Sequence, residues 1–198
     1  MKLLLIIVIV AAGALLIFQG WTYYISKVEE QPYKVLKVLN LIEIRHYPAA
    51  KMATVNMAKN NNQNSSNGFR TLAGYIFGGN DKNQEFAMTA PVHISKSDSL
   101  NTMSFVLPEG YWNSELPTPN NKEVKLHWSK EQTVAAIRFG GFRSDEKEAK
   151  MKAILLEELQ KNNIKHLGDF SFLSYDPPFK MIDRRNDLIV SIDAASVK

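Results

Sequence analysis

The side chains best suited to metal or proton chemistry are four histidines, His46, His93, His127 and His166, and no two of them have metal-ligand spacing. His46 shares a strand face with Ile42 and Ile44. His93 follows Val92, on the side of its strand opposite Val92 and Ile94. These two are the candidates for a metal ligand, although a structural role is the plainer reading of each. His127 alternates away from Leu126 and Trp128, toward solvent, and His166 lies near a helix end, where the helix dipole accounts for it. Glu157 and Glu158 sit on a helix, where neighbours diverge, so they form no acid–base pair. The chain lacks H-E-x-x-H, G-x-S-x-G, the P-loop and the dinucleotide fingerprint. It has no cysteine, which removes thiolate chemistry and a disulfide framework. The residues point to binding rather than to catalysis.

The best binding surface is a helix. Phe69, Leu72, Ala73 and Ile76 recur at i, i+3, i+4 and i+7 and share one face. Tyr75 and Phe77 widen that stripe to about 200° at roughly 100° per residue, more than packing on one sheet face requires. The surplus either lies under loops or forms a ligand surface. Arg70 stands at the stripe's edge, placed to meet an acidic group. Arg184-Arg185 has the look of an anion clamp; the plainer reading is a pair that ties down the last strand.

These residues need elements to hold them. Alternation predicts strands over Tyr33–Val38, Leu41–Tyr47, Lys51–Met57, Gln84–Ser95, Asn101–Leu107, Glu123–Trp128, Gln132–Phe139, Asp169–Tyr175 and Leu188–Ile192. The run Asn60 to Asn67 is polar and is expected to be a mobile loop. Ser65, Ser66 or Asn67 caps the helix that follows, and Gly78-Gly79 stops it. A second helix starts at Ser144, with Asp145 and Glu146 suited to its dipole. The layout is strands, helix, strands, repeated once without sequence repetition. It suggests an α+β domain of two similar halves, with a curved or barrel-like antiparallel sheet and two helices.

The first 26 residues stand apart. Leu3 to Phe18 carries no charge, and Trp21, Tyr23 and Tyr24 follow, which suits a membrane anchor with an aromatic belt. Ala12-Gly13-Ala14 offers the alternative of a cleaved signal peptide. The anchor reading gives a single-pass membrane protein with residues 33–198 as a periplasmic domain and residues 27–32 as linker. The formal net charge of +4 is too mild, and its carriers too dispersed, to argue for nucleic acid.

Several landmarks carry a family resemblance. Phe69-x-x-Leu72-x-x-Tyr75-Ile76-x-Gly78-x-Asn80 comes first, then Met88-Thr89-Ala90-Pro91-Val92. Phe105 to Pro108, Pro117-x-Pro119 and Phe139-Gly140-Gly141 follow. Tyr175-Asp176-Pro177-Pro178 and Arg184-Arg185-Asn186-Asp187 close the series. In this order they resemble the SOUL/haem-binding family, which usually has Glu where this chain has Asp187. The resemblance implies a distorted antiparallel β-barrel of two pseudo-repeated halves with two flanking α-helices. It implies non-covalent, non-enzymatic binding of haem or a related tetrapyrrole. On this reading Phe69, Arg70, Leu72, Ala73, Tyr75, Ile76 and Phe77 form the site, with Arg70 toward a propionate and His46 or His93 as candidate iron ligands. The same architecture resembles effector-binding modules for other flat apolar ligands, and a scaffold role in the envelope is the remaining alternative.

Overall fold

Strand alternation and helix periodicity set the order of elements. In the computed structural model, which describes residues 2–25, 28–57, 62–97 and 100–197, the chain runs α1 (Lys2–Ile25), β1 (Glu29–Glu30), β2 (Lys34–Leu39), β3 (Ile42–Tyr47), β4 (Lys51–Met57) and α2 (Asn62–Ile76). It continues with β5 (Thr89–Ala90), β6 (Val92–Lys96), β7 (Asn101–Val106), β8 (Lys125–Trp128), β9 (Gln132–Gly140), α3 (Asp145–Lys161), β10 (His166–Ser174) and β11 (Arg185–Ile192). The helix α2 begins at Asn62, so most of the polar run expected to be a loop is helical; Asn60 and Asn61 lie outside the described residues. The single strand expected over Gln84–Ser95 is broken into β5 and β6 around Pro91, which has no N–H to give to a ladder.

The sheet is open. Nine strands form one sheet in the order β2-β3-β9-β11-β10-β6-β7-β4-β8, and β2 and β8 are its two edges. The expected barrel is corrected on this point: closure needs β2 to pair with β8, and that pairing does not occur among the described residues. The two-fold layout does hold. The unit β4-α2-β6-β7 is matched by β9-α3-β10-β11, and the units meet where β6 pairs with β10. Each unit takes its outer strand from the other half, since β3 pairs with β9 and β8 pairs with β4.

The helices α2 and α3 lie on the same side of the sheet. Across the register Ile44, Ala135 and Val190 fall in line, as do Leu188, Phe172, Ile94, Met103 and Val55. The helix α2 covers the half around Ala53, Val55, Met103 and Phe105 with Leu72, Tyr75 and Ile76. The helix α3 covers the half around Ile44, Ala135, Ile137, Leu188 and Val190 with Leu155 and Leu159. Ser144 caps α3, accepting from Lys147 N at 3.2 Å. The opposite side of the sheet carries Arg45, Tyr47, His93, Tyr175 and Asp187, all buried.

Among the described residues no helix is long and apolar enough to cross a membrane. This overturns the expected single-pass anchor and the periplasmic placement drawn from it. The reason lies in the last third of α1. Gln19 and Gly20 interrupt the apolar run, so the unbroken stretch from Leu3 to Phe18 gives about 24 Å of helix at roughly 1.5 Å per residue. That is short of a hydrocarbon core of roughly 30 Å.

Candidate functional site

The apolar stripe of α2 divides once it meets the sheet. Leu72, Tyr75 and Ile76 are buried in the core, and Phe69 and Ala73 are partly buried against it. Phe69 meets Phe105 edge-on at 5.2 Å, and Tyr75 stacks on Phe86 at 5.6 Å. The Tyr75 hydroxyl donates to Pro117 O at 3.2 Å, and burial together with the nearby Asp81 charge raises its pKa to about 12. These side chains hold the helix down. Arg70 is exposed, and Phe77 is 59% exposed.

Arg70 and Gly74 are exposed one turn apart on α2, Ala73 is half-buried at the margin of that face, and exposed Phe77 follows directly after the helix, where it bridges to Glu85. Arg70 makes no ion pair among the described residues. A Cβ on Gly74 would meet nothing within 4 Å. The result is a flat shelf of Ala73 and Gly74, with a cation at one end and an aromatic ring at the other, about 10 Å apart at roughly 1.5 Å per residue. Gly74 was not among the residues expected; its place four residues after Arg70 was the available signal.

The motif around Gly78 and Asn80 sets where this shelf ends. Gly78 has φ +92 and takes the left-handed position after the helix. Gly79 N then donates to Gly74 O at 2.8 Å, and a Cβ on Gly79 would lie 2.5 Å from that oxygen. Buried Asn80 fastens the turn. Its Nδ2 donates to Tyr75 O at 3.3 Å and Gln84 O at 2.7 Å, and its Oδ1 accepts from Lys82 N at 3.2 Å and Gln84 N at 2.9 Å. In the Met88–Val92 segment, Thr89 Oγ1 donates to Val106 O and Ala90 O accepts from Gln31 N. Both landmarks are therefore structural.

Neither candidate iron ligand lies beside α2. His46 is on β3, which pairs with β9 in the half covered by α3. His93 is buried on the side of the sheet away from both helices, with Nε2 2.8 Å from Gln31 Oε1, and burial lowers its pKa to about 4. His127 Nε2 lies 2.9 Å from Thr54 Oγ1, and His166 is exposed at 5.9 Å from Phe170. Among the described residues no group of three or more His, Cys, Asp or Glu is placed to hold a metal ion.

The arginine doublet separates, as neighbours in extended chain do. Arg184 Nη1 donates to Pro177 O at 2.6 Å and Lys180 O at 2.7 Å, closing the loop before β11. Arg185 turns to the far side of the sheet and joins a charged centre there. Arg45 Nη1 lies 2.6 Å from Asp187 Oδ2, Arg185 Nη2 3.2 Å from the same oxygen, and Arg138 Nε 3.5 Å from Asp187 Oδ1. Burial on its own would lower the Arg45 pKa, but the adjoining Asp187 carboxylate raises it. Sequence reasoning missed this centre. The alternation of Ile42, Ile44 and His46 places Glu43 and Arg45 on the face that an α+β layout leaves to solvent.

The chain can be compared with known proteins on this basis. The SOUL heme-binding protein family model matches residues 28–191. Heme-binding protein 2 of Mus musculus is 30% identical over 155 residues, covering 74% of this chain and 75% of the mouse protein. Heme-binding protein 1 of Xenopus laevis is 27% identical over 154 residues, covering 74% and 80%. Among solved structures, the EcmrR C-terminal domain superposes with a TM-score of 0.56 at 8% identity, covering 81% of this chain and 98% of that one. A hydrolase from Listeria innocua superposes with a TM-score of 0.55 at 10% identity, covering 77% and 91%. At such identities the likeness concerns the fold alone. The family match spans nearly all of the chain after α1, and the chain belongs to the SOUL heme-binding protein family.

Proposed function

We propose that this chain binds haem or a related tetrapyrrole non-covalently, without catalysing a reaction, on the outer face of α2. The family match over residues 28–191 carries this reading, and relatives that share 27–30% of its residues are named heme-binding proteins. The shelf has the right chemistry for a flat, acidic, apolar macrocycle. Ala73 and Gly74 leave room for the ring plane, Phe77 supplies an aromatic edge, and Arg70 supplies a counter-charge for a propionate. Phe69, Leu72, Tyr75 and Ile76 serve this surface from below by fixing the helix on the sheet.

With His46 and His93 both away from α2, the site offers no axial histidine. Iron-free protoporphyrin is then expected to bind within about threefold of haem. Titration of haem into the full chain, followed at the Soret band, tests the reading. A saturable shift at micromolar haem that is weakened in Arg70→Glu supports it, and no shift at that concentration sinks it. A flat aromatic without carboxylates that binds as tightly as haem would favour a general apolar site instead.

A further inference from the structure

Residues Val28 to Tyr33 cross the side of the sheet opposite α2 and α3. Glu29 and Glu30 pair in parallel with Thr89 and Ala90. Gln31 N donates to Ala90 O at 2.7 Å, and the Tyr33 ring lies 5.1 Å from that of Tyr47. The crossing segment brings two oxygens to two arginines of the sheet. Glu30 Oε2 accepts from Arg185 Nη1 at 2.8 Å. The Tyr33 hydroxyl accepts from Arg185 Nη2 at 3.1 Å and from Arg138 Nη2 at 3.5 Å.

The charges beneath balance only with the segment in place. Arg45, Arg138 and Arg185 face the carboxylates of Asp187, Glu43 and Glu30. Asp187 and Glu43 belong to the sheet; Glu30 does not. Without Glu30 the cluster keeps one uncompensated positive charge. Its arginines also have unused capacity. Arg185 Nε is buried and makes no hydrogen bond, and neither does the buried Asp187 Oδ1 beside it. Native proteins rarely leave such groups unpaired. The Glu30 side chain is 49% exposed, so its ion pair is weak and easily exchanged.

We propose that Arg185 and Arg138 form an oxyanion site, and that Glu30 and Tyr33 are its built-in occupants. A carboxylate or phosphate group of a small molecule replaces the two oxygens, and the Val28–Tyr33 segment lifts from the sheet. Guanidinium pairs suit either group, because their forked donors match two oxygens at once. The site lies on the face opposite α2 and stands apart from tetrapyrrole binding.

The test uses the full chain labelled with nitrogen-15 at arginine and in the backbone. Inorganic phosphate and acetate are titrated separately at constant ionic strength, with the Arg185 Nε–H resonance as the readout. A saturable shift is expected, and Glu30→Gln should tighten it about fivefold by removing the competing charge. Arg138→Gln in the Glu30→Gln background should weaken it about tenfold. Saturation by one anion only identifies the group the site takes. As anion saturates, the Gln31 amide should lose its protection from hydrogen exchange. Equal affinity in the native chain and Glu30→Gln, or no saturation in either, overturns the site. Saturation with Gln31 protection unchanged overturns the lifting of the segment.

Discussion

Arg45 and Asp187 lie 142 positions apart in sequence and meet at 2.6 Å, with side chains 1% and 0% exposed. The contact joins β3 to β11 across the intervening β9. It ties the strand contributed by the first half to the last strand of the second. Asp187 is the hub, since it faces Arg45, Arg138 and Arg185, while Arg45 is also held by Glu43 at 2.7 Å.

This asymmetry orders two substitutions. Asp187→Asn leaves a buried guanidinium short of its counter-charge and is expected to cost about 3–5 kcal/mol. Arg45→Met leaves Asp187 two guanidiniums and places an apolar chain beside Tyr33 and Tyr47, so its cost should be smaller. Urea unfolding of the two variants measures both. Equal losses would contradict the assignment of Asp187 as the hub.

His93 predicts an acid dependence. Its pKa in the folded chain is about 4, lowered by burial from the usual 6.5. The unfolded chain therefore takes up a proton first as pH falls. The stability tied to the neutral ring is complete above pH 6.5 and is lost progressively between 6.5 and 4, by about 3 kcal/mol in all. The variant His93→Gln has no proton to take up and can still bond to Gln31. Its loss of stability between pH 7 and pH 4.5 should be smaller than the native chain's by on the order of 2–3 kcal/mol. Parallel losses in urea titrations at the two pH values would remove His93 as the cause.

Much of this fold is legible in short-range pattern. Alternation finds β3, β4 and β9 nearly to the residue, and Ser144 marks the start of α3. Pairing between distant strands is not written locally. Nothing in Lys125 to Trp128 says that β8 joins β4 and not its successor β9, and barrel closure depends on that same long-range choice. The proposed site was half legible. A stripe of about 200° shows that α2 has more apolar surface than a sheet needs, but only packing decides that Leu72, Tyr75 and Ile76 go inward while Phe77 stays out. The charged centre was hidden for another reason. Arg45 reads as part of a solvated face because the segment that precedes Tyr33, whose ring covers it, has the composition of a linker from Val28 to Pro32.

Asn80 makes a sharper test of the helix end. Its side chain supplies four hydrogen bonds to backbone groups within the turn, and it is 1% exposed. Asn80→Ala orphans two carbonyls and two N–H groups, and is expected to cost about 2–4 kcal/mol, given roughly 1–3 kcal/mol for each buried group left unmet and partial rescue by water. Asn80→Asp keeps an acceptor but turns a second oxygen onto the Tyr75 and Gln84 carbonyls in a buried site, so it should cost at least as much as Asn80→Ala. Thermal unfolding compares them, and an Asn80→Ala variant as stable as the native chain would show that the turn holds without its side chain.

Gly74 separates binding from stability. It lies inside α2 with open space where a Cβ would stand, and its backbone does not need a positive φ. Replacing it by a residue with helix propensity removes backbone freedom from the unfolded chain. Gly74→Ala is therefore expected to stabilise the protein by about 0.5–1 kcal/mol, and Gly74→Leu should be at least as stable as the native chain. The same leucine stands up from the shelf between Arg70 and Phe77 and occupies the space the ring plane would need. Haem affinity, read from the Soret titration, should fall about tenfold or more in Gly74→Leu and change little in Gly74→Ala. Loss of binding in a protein that has become more stable cannot be ascribed to unfolding. Undiminished haem binding by Gly74→Leu would move the site off α2 while leaving the family assignment intact.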